Sequence, residues 1–378
     1  MRTIYLDYNA TTPLAPAVRD CMLPFLEEHY GNPSSGHALG RACHEAVEDA
    51  RSRVAFLLGA DRSEIVFTSG GSEANNLAIK GVALRHGPAA AGHVVISALE
   101  HPATVEPARF LERLGYGLTI VGCDRRGVVD PDEVARALRP DTVLVSVMHA
   151  NNEIGTVQPI RAIADVCRPR GVLLHTDAAQ SAGKLPIGVA ALGVDLLSLA
   201  GHKFYAPKGV GALYVRQGVE LEPLIHGAGH EAGLRAGTEN VASIVGLGIA
   251  AAQAAKNQGP MADRATALRN RLHDRLGEAL GGSVSVNGDG AERLPNTLSI
   301  NFHGAEGHEL LRRCPELCAS TGAACHSGAT KLSATAAAIG LPPEIARGTV
   351  RLSLGWYTTE EEVDRAASLL IAAWESLA

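Results

Sequence analysis

Two residues suited to a cofactor site, Asp177 and Lys203, each end an apolar segment of this sequence. Asp177 follows Val172-Leu-Leu-His-Thr, and Lys203 follows Leu196-Leu-Ser-Leu-Ala-Gly-His. A lysine amine whose pKa is lowered by burial or by a neighbouring charge can bind the aldehyde of pyridoxal phosphate as a Schiff base. An ionised carboxylate across the ring keeps the pyridinium nitrogen protonated, so that the ring acts as an electron sink. An isolated aspartate and lysine are more commonly a helix cap and a solvated cation, so the rest of the sequence decides between the two interpretations.

A glycine-rich turn supplies a candidate phosphate site. The segment Phe67-Thr-Ser-Gly-Gly-Ser follows an apolar run and precedes a helical pattern. The backbone N–H groups of Gly71 and Ser72, together with the Ser72 hydroxyl, can bind an anion at the positive end of that helix. Such turns are common in proteins that bind no phosphate. Here the presence of the lysine and the aspartate in the same sequence favours phosphate binding.

Short apolar segments alternate with alanine-rich helical patterns over the first part of the chain. Strands that are apolar on both faces and separated by helices are typical of a mainly parallel sheet covered on both sides. The seven predicted strands begin at Ile65, His93, Leu118, Val143, Val172, Leu196 and Gly211. Ligands of such sheets bind at the carboxyl ends of the strands. The groups that we expect to converge there are the turn 69–72, His101, Asn152 and Asp177.

The pattern changes near residue 256, which indicates a second, smaller domain. We predict an alanine-rich helix at 244–256 and a separate amphipathic helix at 261–280, followed by shorter strands. A chain of 378 residues, of which 46% are hydrophobic, is long enough for two cores. The expected fold is α/β, with a large pyridoxal phosphate-binding domain at 15–256 and a smaller α+β domain at 257–378. Residues 1–14 are expected to pack with the smaller domain.

The composition argues against several classes of function. A net charge of −6, a pI near 6.2 and the lack of any Lys/Arg block give no sign of binding to nucleic acid or to a membrane surface. The N-terminus shows no signal peptide and no apolar run reaches membrane-spanning length, so we expect a cytoplasmic protein. The seven cysteines form no Cys-x-x-Cys pair and show no metal-ligand spacing with histidine, so we expect no metal.

An ordered series of motifs resembles the cysteine desulfurase family, which belongs to the class V, fold-type I pyridoxal phosphate enzymes. No single motif would suffice, but the series runs in order over nearly the whole chain. The resemblance implies a homodimer that converts L-cysteine to L-alanine and passes the sulfur to a protein or small thiol. The motifs are Tyr5-Leu-Asp-Tyr-Asn-Ala-Thr-Thr, Phe67-Thr-Ser-Gly-Gly-Ser-Glu-Ala-Asn-Asn, Glu100-His101, Asn151-Asn-Glu-Ile-Gly, Asp177-Ala-Ala-Gln, Gly201-His-Lys and Arg235-Ala-Gly-Thr-Glu-Asn.

The resemblance implies a role for each residue around the cofactor. Lys203 would bind the aldehyde, Asp177 would contact the pyridinium nitrogen, and His101 would stack on the ring and move protons. The other contacts would be Asn152 and Gln180 near the phenolic oxygen, Ser72 and His202 at the phosphate, and Thr238 at the phosphate of the other subunit. The role of Thr238 makes the homodimer part of the active site.

Cys325 decides the reaction that the resemblance implies. The family has its persulfide-forming cysteine at this position, in the small-residue segment Ser320-Thr-Gly-Ala-Ala-Cys-His-Ser-Gly. The thiolate would attack the sulfur of the substrate, L-alanine would leave, and a persulfide would stay on the cysteine. A thiolate requires a lowered pKa or a nearby base, for which His101 and His326 are candidates.

The resemblance also assigns contacts to the substrate. Arg351, in Val350-Arg-Leu-Ser-Leu-Gly, would bind the substrate carboxylate. A guanidinium pairs with a carboxylate through two parallel hydrogen bonds, which a lysine does not reproduce. A surface ion pair is the plainer alternative for this arginine. Asn32 and His37 would line the substrate entrance.

Two positions depart from the commonest desulfurase pattern. Ala200 stands where many relatives have a serine, which removes one phosphate hydroxyl, and Trp356 stands where an arginine is usual. The segments around Cys325 and Lys203 are also similar to the selenocysteine lyase branch, whose substrate is L-selenocysteine and whose selenium passes to an acceptor. A class V aminotransferase, which would not need Cys325, and a scaffold that has lost the chemistry are the remaining alternatives.

Overall fold

The predicted strands of the first part of the chain form one seven-stranded sheet. The computed structural model describes residues 3–85, 92–321, 323–324 and 331–377. Across the sheet the strands lie in the order Ile65–Thr68, Gly211–Val215, Leu196–Ala200, Leu173–Asp177, Thr142–Ser146, His93–Ser97 and Gly117–Val121. Only Gly211–Val215 runs antiparallel to its neighbours, and all other pairs are parallel. The prediction of a mainly parallel sheet in an α/β fold is confirmed.

Helices cover both faces of this sheet. Successive residues of His93–Ser97 alternate between two apolar clusters: Val94 and Ile96 pack on one face, and Val95 packs on the other. Both faces are buried, which is why the strands are apolar without alternation. The helices of this part are Pro16–Met22, Pro24–Glu27, Ala38–Leu58, Gly71–Arg85, Pro102–Arg113, Pro131–Ala137, Ile160–Cys167 and Val189–Leu192.

A single helix, Val241–Leu280, replaces the two helices predicted at 244–256 and 261–280, so that prediction was wrong. Pro260 lies inside the helix, where a proline costs about 3 kcal/mol in the absence of compensating contacts. Packing on both sides of the proline outweighs this cost. On the N-terminal side Gly248 approaches Ala50 so closely that an added Cβ would lie 2.6 Å from the Ala50 Cα, and on the C-terminal side Leu272 is fully buried. No helix in the described ranges combines the length and the apolar content needed to cross a membrane.

A second, antiparallel sheet forms from the C-terminal part of the chain. Its strands lie in the order Ser320–Thr321, Thr349–Ser353, Thr297–Phe302 and Val284–Val286. The short strand Ile4–Tyr5 pairs in parallel with Leu317–Cys318, which brings the N-terminus to this part of the molecule. The remaining elements are Gly307–Arg312, Ala323–Ala324, Lys331–Leu332, Ala334–Ala338, Pro343–Ala346 and Glu360–Glu375.

We propose that residues 15–256 form the large domain and residues 257–378 the smaller one, with residues 1–14 joining the smaller. The apolar clusters support this division. In the described part of the chain, the clusters on the two faces of the large sheet contain no residue between Ala254 and Ala338, and the third cluster joins Ile4 and Leu6 to Leu268 and to the C-terminal strands. Tyr5 and Tyr8 pack against the large sheet, so the N-terminal segment contacts both cores. The helix Val241–Leu280 contributes to the cores on both sides of the proposed boundary.

Candidate active site

A cavity of about 430 Å³ opens at the carboxyl end of the large sheet. It lies beyond the ends of Leu173–Asp177 and Leu196–Ala200, as expected for a parallel sheet. Most of the site residues predicted from the sequence line this cavity: Gly71, Ser72, His101, Asn152, Asp177, Gln180, His202, Lys203 and Arg351.

Lys203 lies in the turn Gly201–Lys203, directly after its strand. Its Nζ donates hydrogen bonds to the carbonyl oxygens of Asn9 at 2.7 Å and Ala10 at 2.8 Å. Burial, together with the neighbouring Arg351 guanidinium, lowers the pKa of Lys203 to about 8. A larger fraction of this amine is therefore neutral and nucleophilic near neutral pH than of an ordinary lysine.

The pH dependence of cofactor capture follows from this pKa. We expect the rate at which Lys203 of the apoprotein reacts with the aldehyde of pyridoxal phosphate to rise with pH. The midpoint of this rise should lie near the pKa of Lys203, about 8. The neutral amine, which attacks the aldehyde, predominates above that pKa; for an ordinary lysine the same rise is centred near pH ~10.4. Stopped-flow absorbance over a pH series measures the rate. N-acetyl-lysine amide under the same conditions is the control, and an equal midpoint for protein and model amine would contradict the prediction.

Asp177 is buried at the end of its strand and is held by two donors. The backbone N–H of Ala179 donates to its Oδ1 at 2.9 Å, and the Nδ2 of Asn75 donates to its Oδ2 at 2.6 Å. These two hydrogen bonds fix the orientation of the carboxyl group at the cavity wall. Sequence reasoning had not singled out Asn75, although it lies in the motif that begins at Phe67. The Oδ1 of Asn75 is buried without a hydrogen-bond partner, so this side chain retains an acceptor at the cavity.

The helix Gly71–Arg85 begins at the cavity wall and points its N-terminus into it. A Cβ added to Gly71 would lie 3.1 Å from the Cβ of Ala200, so a small residue at each position keeps the wall closely packed. His202 contacts this end of the cavity, and its Nδ1 lies 3.1 Å from the Oγ1 of Thr11. Burial, together with the neighbouring Lys203, lowers the pKa of His202 to about 4, so its ring is neutral at neutral pH.

His101 and Gln180 lie on two other walls of the cavity. The Nδ1 of His101 accepts a hydrogen bond from the backbone N–H of Ala103 at 3.1 Å and caps the helix Pro102–Arg113. Because Nδ1 is the acceptor, the neutral ring carries its proton on Nε2. Burial lowers the pKa of His101. The Nε2 of Gln180 donates to the carbonyl of Asn9 at 2.9 Å.

Arg351 reaches the cavity from the small sheet. Its Nη2 pairs with the Oδ1 of Asp7 at 2.7 Å, and its Nη1 donates to the carbonyl of Asn152 at 3.0 Å. The Nε of Arg351 is buried without a hydrogen-bond partner. The ion pair with Asp7 is internal, so the surface ion pair considered for this arginine was wrong.

Three of the predicted residues that the structure describes do not line the cavity. Asn32 accepts a hydrogen bond from the backbone N–H of Ser34, and His37 caps the helix Ala38–Leu58; both are exposed and neither lines this cavity. Thr238 is exposed in the loop before the long helix. Cys325 lies outside the described residues, so its predicted role remains a prediction.

Two ionisable groups near the cavity, the buried Glu100 and the half-buried Lys184, were not predicted. Glu100, next to His101, accepts hydrogen bonds from the Ser97 hydroxyl and from the backbone N–H of Met148, and burial raises its pKa to about 8. Lys184 donates to the carbonyl of Gln180 at 2.9 Å. Burial lowers the pKa of Lys184 to about 7. Glu100 belongs to the Glu100-His101 motif, whereas no motif or spacing in the sequence indicates Lys184.

Trp356, one of the two departures from the family pattern, has a packing role. Its ring stacks on Tyr205, two residues beyond Lys203, with ring centroids 3.9 Å apart. The backbone N–H of Trp356 also donates to the Tyr205 hydroxyl at 2.6 Å. The tryptophan thus joins the segment after Arg351 to the segment after Lys203.

The chain is similar to proteins of one family over nearly its whole length. The model of the class V aminotransferases matches residues 4–366. A relative named cysteine desulfurase IscS, from Dictyoglomus turgidum, is 45% identical over 378 residues, which cover 100% of this chain and 95% of the relative. A solved structure titled NifS-like protein has a TM-score of 0.91 and 37% identity, with 99% of each chain covered. Another, titled SspA in complex with cysteine, has a TM-score of 0.84 and 39% identity, covering 94% of this chain and 100% of that one.

Proposed function

Because this chain belongs to the class V aminotransferase family, in which it is a pyridoxal phosphate-dependent cysteine desulfurase, we propose that Lys203, Asp177, Arg351 and Cys325 carry its reaction. Lys203, Asp177 and Arg351 come from three separate parts of the chain and line one cavity, and this observation supports their roles. The similar protein whose title states a complex with cysteine supports L-cysteine as the substrate.

The residues at the cavity fit pyridoxal phosphate. The helix N-terminus at Gly71 is suited to an anion, the buried Asp177 to a pyridinium nitrogen, and Lys203 to an aldehyde. The unpartnered Oδ1 of Asn75 indicates a ligand that supplies a donor. Ser72 and His202 would hold the phosphate, and Asn152 and Gln180 would contact the ring's phenolic oxygen. Ala200 supplies no hydroxyl there, so the phosphate would depend on the remaining donors.

Each protein group has a separate task in the reaction. The bound cofactor supplies an electron sink for the cleavage of bonds at the substrate. Lys203 would hold the cofactor and move a proton at its Nζ, and His101 would move a proton at its Nε2. Arg351 binds the substrate carboxylate, with the unpartnered Nε as one available donor. The Asp177 carboxyl group would contact the pyridinium nitrogen and stabilise positive charge there.

Cys325 takes the sulfur. Its thiolate attacks the substrate sulfur, the bond from that sulfur to carbon breaks, and the electron pair of the broken bond takes a proton to give the methyl group of L-alanine. The product on the protein is a persulfide, and no outside oxidant or reductant is required. A protein or small thiol then accepts the terminal sulfur.

Product analysis tests this function. Purified holoenzyme supplied with L-cysteine and a thiol reductant should release L-alanine and sulfide in equal amounts, because each attack by Cys325 yields one of each. Chromatography of amino acids and a colorimetric sulfide assay measure them. Enzyme stripped of cofactor is the control. Formation of a keto acid in place of L-alanine would favour an aminotransferase and overturn the proposal.

We propose further that the active protein is a cytoplasmic homodimer. Thr238 is exposed and lies outside the cavity of its own subunit, as expected of a residue that reaches the phosphate of a second copy. The cysteines of the described ranges are free thiols, as is usual in a reducing compartment. Asn32 and His37 remain proposed residues of the substrate entrance, which in a dimer need not face the cavity of their own subunit.

A further inference from the structure

The arginine proposed to bind the substrate carboxylate already holds a carboxylate of its own chain. The Nη2 of Arg351 lies 2.7 Å from the Oδ1 of Asp7, and the two side chains are only 11% and 19% exposed. The same Asp7 oxygen accepts a hydrogen bond from the Ser320 hydroxyl at 2.9 Å. A backbone bridge between Asp7 and Ser353 fixes the aspartate beside the strand that carries Arg351. The pair is therefore a built feature of the fold.

The remaining donors of Arg351 show what the pair leaves for a ligand. One N–H of Nη1 is used by the carbonyl of Asn152, and the buried Nε has no partner. A buried donor without an acceptor costs about 1–3 kcal/mol, so an oxygen of an incoming ligand is favoured there. A substrate carboxylate at Arg351 would thus be the second anion on one cation. Repulsion between the two carboxylates weakens its binding.

We propose that Asp7 is a positioning residue that keeps the affinity of Arg351 for amino-acid carboxylates low. The proposal rests on the proposed role of Arg351 in substrate binding. L-Cysteine and L-alanine carry the same carboxylate, so an arginine without a carboxylate partner would bind substrate and product with equal additional strength. Uniform binding of this kind does not accelerate the reaction and retains the product. Partial neutralisation by Asp7 favours the departure of L-alanine.

The variant Asp7→Asn tests the proposal. Asparagine has the size of aspartate and keeps an oxygen that can accept from Arg351 and Ser320, but it removes the charge. We expect the Asp7→Asn holoenzyme to bind L-alanine about tenfold more tightly, since a charged hydrogen-bonded group contributes enough for such a change. Calorimetric titration with L-alanine measures this affinity without turnover. Ethylamine, which is L-alanine without its carboxylate, should bind both proteins equally.

Two further variants separate charge from structure. Ser320→Ala removes a hydrogen bond of Asp7 and leaves the charge, so the affinity for L-alanine should stay the same. In a double-mutant cycle, Asp7→Asn should have no effect on L-alanine binding once Arg351 is replaced by glutamine. Unchanged or weaker L-alanine binding by Asp7→Asn alone would overturn the proposal, because the aspartate would then only orient the arginine. If Arg351→Gln itself left L-alanine binding unchanged, the proposed role of Arg351 would fail and the role of Asp7 with it.

Discussion

Replacing Lys203 with alanine should abolish covalent attachment of the cofactor and reduce desulfuration by about a thousandfold or more. The amine that bonds the aldehyde is lost, and so is the group that moves the proton; a positioned acid or base alone contributes roughly 10²–10⁴-fold. Borohydride reduction followed by mass spectrometry of the tryptic peptides measures the attachment, and alanine production measures the activity. The residues proposed to hold the phosphate and the ring remain, so we expect the variant still to bind the cofactor noncovalently.

An exposed lysine nearby provides the matched control. Lys208 lies five residues further along and is exposed. Lys208→Ala should keep both the covalent cofactor and the activity. Cofactor covalently bound to a different lysine in Lys203→Ala would contradict the assignment, as would activity within tenfold of the parent protein.

Replacing Cys325 with alanine should stop the release of both sulfide and L-alanine from L-cysteine while leaving the visible spectrum of the cofactor unchanged. The thiolate is the nucleophile of the proposed reaction, and no alternative acceptor of the sulfur is proposed within the active site. Activity assays and absorbance spectra of the same preparation measure the two outcomes. Cys318→Ala is the matched control, since Cys318 is an exposed free thiol close in sequence, and it should retain full activity.

The same variant separates a desulfurase from a selenocysteine lyase. A desulfurase needs Cys325 for L-cysteine. If Cys325→Ala still released selenium from L-selenocysteine, at the rate of the parent protein, while losing all activity on L-cysteine, the lyase would be favoured. Continued release of sulfide from L-cysteine by Cys325→Ala would overturn the role of the cysteine altogether.

The parts of the site that follow strands were predictable from the sequence. In a parallel sheet all carboxyl ends meet at one edge, so the order of strands and polar residues was enough to bring Asp177, His101 and Lys203 together. The family resemblance added Arg351, whose position on a separate sheet no local pattern reveals. The topology fixes where the ends of the strands lie, which is why Asp177, His101 and Lys203 line one cavity; their roles remain proposals.

Contacts between distant segments were not predictable. Asp7 and Arg351 are 344 positions apart, and the bond from Asn75 to Asp177 spans 102. Neither contact has a spacing or composition that would mark it. The unbroken helix through Pro260 was missed for a related reason, since a proline signals a helix end locally and only packing on both sides of it reverses that preference.

The N-terminal residues Asp7–Ala10 touch both halves of the site. Asp7 holds Arg351 on the small sheet, while the carbonyls of Asn9 and Ala10 hold Lys203 on the large one. The long helix Val241–Leu280 joins the same two halves a second time. Two backbone connections restrict relative rotation, so the amine and the guanidinium are preorganised before any amino acid enters. The entropy lost in bringing the amine and the guanidinium together is therefore lost once, when the chain folds. It is not lost again in each catalytic cycle.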